Sequence, residues 1–206
     1  MSRKARISAV LMALSLGTSG CGVVEQGRAP AVVRIDELTA SAGGTTAGAF
    51  GGYLHSDVVT NVTVNTVVTP SRFSDSGRVT LSMVLRDPGI PGQGVTPSEL
   101  NTITITHYRV VYRRTDGRNV QGVDVPFAFD SGMTMSIPAN GSIQQTFDIV
   151  RVSAKIDAPL LALAVNGQAL DVIADVTFYG KDQHNNDVAA TGSIGITFAN
   201  FGDTAT

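Results

Sequence analysis

Tryptophan is absent from this 206-residue chain, cysteine occurs once, and aromatic side chains make up only 6% of it. A single thiol excludes an intramolecular disulfide and any zinc or redox centre built on paired thiolates. The scarcity of aromatic rings argues against a sugar platform, which depends on exposed ring faces. Charge is also sparse at 16%, and without the first twenty residues the chain carries 12 basic against 17 acidic side chains, a net charge of −5. Nucleic acid is therefore not an expected partner, because its binding needs clustered Lys and Arg to neutralise phosphates. Arg109, Arg113, Arg114 and Arg118 come nearest to a basic stripe, but they are spread along one expected strand and its turn and read as a solvated face. The apolar run from Ile7 to Leu16 has about ten residues, half of the ~20 that a bilayer-spanning helix requires.

Catalytic chemistry is missing as well. His55, His107 and His184 are far apart in sequence, and none has a second ligand two or four residues away. No G-x-S-x-G, H-E-x-x-H, P-loop or dinucleotide fingerprint occurs in a workable context. The glycines of GIPGQG, residues 89–94, lack both the Lys and the strand-to-helix frame of a phosphate loop. Asp182, Asn185, Asn186 and Asp187 could offer hard oxygen donors to calcium, yet they lack the spacing of a calcium loop and suit a plain turn better. Asp124 and Asp130 flank Val125 to Phe129, where Phe127 and Phe129 either rim a binding surface or, the favoured reading, pack into a core. The expectation is a non-enzyme with no catalytic residues, no metal and no cofactor.

What the sequence does contain begins at its N-terminus. MSRKAR carries three positive charges, an apolar stretch follows, and the small residues Gly17, Thr18, Ser19 and Gly20 precede Cys21. These are the three parts of a secretory signal. Thr18-Ser19-Gly20-Cys21 resembles the lipobox of bacterial lipoproteins; Ser19, Gly20 and Cys21 match, whereas Thr18 stands where an aliphatic residue is usual. The resemblance implies cleavage after residue 20 and acylation (palmitate or a similar chain) of Cys21, with two or three acyl chains giving stable membrane attachment. Gly22 is not the Asp that marks inner-membrane retention in lipoproteins of the enterobacterial kind, so the outer membrane is favoured if the source has two membranes. An ordinary signal cut elsewhere, leaving Cys21 a free thiol, is the alternative.

Residues 21–52 are rich in Ala, Gly, Ser and Thr and read as a lipidated N-terminus followed by a flexible, disordered tether, within which Ala31 to Leu38 offers one short edge strand. Residues 53–206 read as a single domain whose apolar period is two. Val79, Leu81, Met83 and Leu85 alternate with polar or exposed positions, as do Val172, Ala174, Val176 and Phe178, and then Val188, Ala190, Gly192, Ile194, Ile196 and Phe198. KDQHNND, residues 181–187, joins the last two runs into a hairpin. Further strands are expected in Asp57 to Val68, Asn101 to Thr115, Asp124 to Ile137 and Ser142 to Ile156, making seven.

Within the second of these, apolar parity changes between Ile103, Ile105 and Tyr108, Val110, Tyr112, which predicts a β-bulge near Thr106 or His107. Thr96-Pro97-Ser98-Glu99 predicts a short helix capped by Thr96, and PLLALAVN, residues 159–166, fits either a strand or a helix. The pattern implies an all-β, antiparallel two-sheet sandwich. The Tyr108, Val110, Tyr112 alternation is similar to the third strand of fibronectin type III and other immunoglobulin-like domains. The functional expectation is an envelope lipoprotein, attached to the membrane by lipid and acting on an envelope protein partner without catalysis. The alternative is a carbohydrate-type ligand-binding module of the cell surface.

Overall fold

A computed structural model describes residues 29–46, 48–87, 89–90 and 92–202; the signal segment, Cys21 and residues 203–206 lie outside the described residues. Two sheets form the body. The smaller contains β1 (Ala31–Ser41), β5 (Asp75–Leu85) and β10 (Ser142–Val150), with β5 in the middle. The larger has the order β2 (Tyr53–Asp57), β12 (Asp187–Ala199), β11 (Leu170–Asp182), β8 (Ile103–Arg113) and β9 (Phe129–Ile137). Two small hairpins, β3 (Thr60–Val64) with β4 (Val67–Ser71) and β6 (Gly89–Ile90) with β7 (Gln93–Gly94), stand outside these sheets.

Period-two patterning explains the layers. Val79, Leu81 and Met83 of β5, Val172, Ala174, Val176 and Phe178 of β11, and Ile194, Ile196 and Phe198 of β12 are all buried in one core. Each large side chain removed from water in this way contributes about 1.5–3 kcal/mol. In β8 the inward set switches from Ile103 and Ile105 to Tyr108, Val110 and Tyr112, and the pairing with both neighbouring strands shifts register between Ile105 and His107. That is the expected bulge, placed where parity had to change.

Several segments differ from the expectations, each for a local reason. The edge strand offered at Ala31 to Leu38 is present but longer: Ala31–Ser41 is an 11-residue edge strand paired along β5, with Ala31, Val33 and Ala40 buried, so this part of the expected tether belongs to the sandwich. The small side chains of Ala31, Ala40 and Ser41 are buried there, so in this strand they mark close packing and not flexibility. The expected strand 57–68 is instead the end of β2 followed by a hairpin, turned at Asn65 and Thr66 with φ of 50° and 70°. Residues 124–128 are not strand, and the expected strand 142–156 ends at Val150, giving way to helix α1 (Val152–Ile156). The ambiguous run becomes helix α2 (Leu160–Asn166), with Leu160 and Leu163 buried on one face and Gly167 ending it at φ 64°.

The expected helix at Thr96 forms two residues later as a single 3-10 turn, Glu99–Asn101. Its cap is Ser98, whose amide donates to the Asn101 Oδ1 at 2.9 Å. The two main sheets together hold eight strands, not seven, and one pair, β2 with β12, is parallel. Among the described residues no helix is long and apolar enough to cross a membrane.

Register assigns every connection to one of two ends. Ala31 lies opposite Leu85, and Asp182 and Ile137 both lie opposite Ile103. The start of β1 therefore shares an end with the 86–102 connection and with the β9–β10 and β11–β12 turns. The far end gathers the β3–β4 hairpin, residues 114–128 and both helices.

Candidate functional site

The far end collects exposed apolar side chains from three separate connections. The β3–β4 hairpin, TNVTVNTVVTPS, has no charged residue and presents Val64, Val67 and Val68 to solvent. An isolated two-stranded hairpin is marginal in water, so its apolar, uncharged surface has no evident stabilising role in the free molecule. Residues 114–128 add Val120, Val123 and Phe127, and the helices add Ile156, Leu161 and Val165, the last 90% exposed. Phe127, favoured as a core residue from the sequence, is 59% exposed and lies over Gly122. Its companion Phe129 is half-buried, with the Arg151 guanidinium 4.0 Å from its ring centre.

Beneath this surface lies a buried ionic centre. Lys155, on α1, is 1% exposed, and Asp75, the first residue of β5, is 0% exposed. Lys155 Nζ donates to Asp75 Oδ1 at 2.9 Å and to the Asp57 carbonyl at 2.8 Å. The Gly43 amide also donates to Oδ1, at 2.8 Å, and the buried Ser56 hydroxyl donates to Oδ2 at 2.5 Å. Burial pushes the Asp75 carboxyl above its ordinary value, against the opposing pull of Lys155, the Gly43 amide and Ser56. Four chain segments meet at this ion pair, the 42–52 connection, β2, β5 and α1, and it closes the far end of the sandwich. Sequence reasoning passed over all three side chains: none belongs to a motif, and the expected strand ran through Lys155 to Ile156. The available signal was a lone Lys in the otherwise neutral, small and apolar VSAKI.

On the open flank between the two sheets, the edge strands β9 and β10 border a cleft of about 360 Å³. Ser131, Thr134, Gln145 and Asp148 line it, with Tyr108 and Phe147 as its floor. Those two rings are 3% and 6% exposed, so they offer little face to a ligand.

The other sequence candidates are dispersed. His107 stacks on Tyr179 with ring centres 4.7 Å apart, His55 sits beside Tyr53 and Phe201, and His184 lies in the β11–β12 turn. Each Arg of the expected basic face meets a carboxylate: Arg109 pairs with Asp130, Arg113 with Asp175, and both Arg114 and Arg118 with Asp116. Asp124 accepts the Val120 amide. In the polar turn, Asp182 accepts the backbone amides of His184 and Asn186 and the Asn186 side-chain amide, while Asp187 pairs with Lys181. These oxygens serve the turn itself, and among the described residues no group of three or more His, Cys, Asp or Glu is arranged to hold a metal ion. The GIPGQG glycines include the ends of the β6–β7 hairpin.

No family model, no curated protein and no solved structure matches this chain.

Proposed function

We propose that this chain is a lipid-anchored lipoprotein of the bacterial cell envelope, and that its sandwich is a non-catalytic module for contact with another envelope protein. The observation that carries the anchor is the sequence Thr18-Ser19-Gly20-Cys21 following a charged and then an apolar segment. Cys21 is the lipidated residue in this reading, and Gly22 favours the outer membrane where there are two. Support for the contact role comes from the far end, where apolar side chains from three connections face away from the end at which β1 begins. An anchored domain would then hold these apolar side chains outward from the membrane that bears it.

The strand order also supports an immunoglobulin-like reading of the sandwich. Strand β1 lies in the smaller sheet, its continuation β2 crosses to pair in parallel with the last strand, and β8 with its two tyrosines sits fourth from that edge. This is how immunoglobulin-like domains pass their first strand between sheets, and the likeness concerns architecture alone.

The decisive experiment is intact mass of the protein from its host's membrane fraction beside a Cys21→Ala variant. Loss of residues 1–20 plus acyl mass in the wild type, with the variant released from membranes, supports the proposal. An unmodified Cys21 in a soluble protein overturns it. The carbohydrate-binding alternative draws only on the polar cleft between β9 and β10, and binding on a glycan array, lost on Gln145→Ala, would favour it instead.

A further inference from the structure

Lys155 and Asp75 present an amine and a carboxyl group to each other in a site that solvent does not reach. With both side chains at most 1% exposed, the charged pair forgoes hydration that only good geometry repays. Moving one proton along the 2.9 Å hydrogen bond converts the ion pair to a neutral amine and a carboxylic acid, the forms that condense. The rest of the site matches what condensation needs. Nζ lies 2.9 Å from Oδ1, so the carboxyl carbon is no more than about one further C–O bond length, ~1.2 Å, beyond that. The Gly43 amide donates to Oδ1, the oxygen that receives the Lys155 proton and must leave, and holds it in place. The Ser56 hydroxyl donates to Oδ2, where negative charge develops as nitrogen adds. The Asp57 carbonyl takes another Nζ hydrogen and fixes the direction of the amine. Reactants held in this way gain the large effective concentrations of intramolecular reactions.

We infer that Lys155 and Asp75 become joined by an intramolecular amide bond, a self-catalysed cross-link between α1 and the first residue of β5. The Lys155 nitrogen adds to the Asp75 side-chain carbon, forming the C–N bond. The bond from that carbon to Oδ1 breaks, and Oδ1 departs as water with the proton already received from Lys155 and a second amine proton, while Oδ2 remains as the amide carbonyl oxygen. No oxidant, reductant or activated co-reactant is involved. The cross-link closes a loop of the chain from residue 75 to residue 155 in a protein whose single cysteine cannot form an internal disulfide. This inference stands apart from the envelope reading, since it depends only on the buried site.

The test is intact mass of the folded full chain followed by peptide mapping under denaturing conditions. The expected result is a mass lower by one water than the processed chain requires, with a branched peptide that joins the segments containing Asp75 and Lys155. A Lys155→Met chain should show no deficit and no branched peptide. The inference is overturned if the wild type has its full mass. It is equally overturned if the missing water maps to a linear Asp75-Ser76 peptide while Lys155 remains free, which would mark cyclisation of the aspartate on its own backbone.

Discussion

The Tyr112 hydroxyl donates to the Ile149 carbonyl at 2.6 Å, at the residue that drops out of the pairing between β10 and β5. One residue earlier, the Asp148 carbonyl accepts from Tyr108 at 3.1 Å. Two inward tyrosines of β8 thus serve carbonyls beside a bulge in the opposite sheet, and they bind the sheets by polar contacts inside an apolar core. Tyr112→Phe leaves the carbonyl of fully buried Ile149 without this donor and should cost about 1–3 kcal/mol in urea unfolding. Tyr108→Phe should cost less, because its bond is longer and beside the open cleft.

Phe147 lies with its ring against Gly77 and makes edge contacts with Tyr108 and Phe178. A side chain at Gly77 has no room, so Gly77→Ala should destabilise by about 1–3 kcal/mol through overpacking. Combining it with Phe147→Leu should cost clearly less than the sum of the two single changes in a double-mutant cycle. Simple additivity would mean that the ring and the glycine do not meet.

Acid should weaken the β11–β12 turn through Asp182. Desolvation opposes its charge, but the Asn186 side chain and the amides of Asn186 and His184 outweigh this and hold its pKa below the ordinary value. A carboxylate depressed in the folded state adds stability above its unfolded pKa and loses that contribution as pH falls through the folded value. The stability gap between wild type and Asp182→Ala should be about 1–2 kcal/mol at neutral pH and shrink below about pH 4. A gap that stays constant to pH 2 would contradict this.

Exposed valines of the β3–β4 hairpin contribute little to the fold, so Val67→Ser with Val68→Ser should leave unfolding within about 0.5 kcal/mol of wild type. If the far end is the contact surface, the same double variant should lose a partner that cross-links to the wild-type protein on intact cells. Equal cross-linking by both chains would move the contact elsewhere.

The fold was legible in the sequence wherever one sheet face met the core and the other met water. Val172 to Phe178 and Val188 to Phe198 announced themselves by alternation, and the parity change before Tyr108 located the bulge. Strand β1 was legible only in part: alternation marked Ala31 to Leu38, but its buried end, Ala40 and Ser41, consists of small residues that composition alone assigns to linkers. The helices were obscured by brevity, since five or seven residues hold too few turns to display a period. Lys155 was illegible for another reason. Its meaning depends on Asp75, eighty positions away, and only the closed sandwich brings the two together.

Strand β1 also decides how the molecule would bear load. It is hydrogen-bonded to β5 from Ala31 to Ser41, and it enters the sandwich at the end opposite the helices and the apolar hairpin. Only about ten residues separate Cys21 from this strand, a leash of at most ~35 Å. Tension between an anchor at Cys21 and a grip at the far end would run along β1, so its ladder with β5 would be sheared as a set and not peeled one bond at a time.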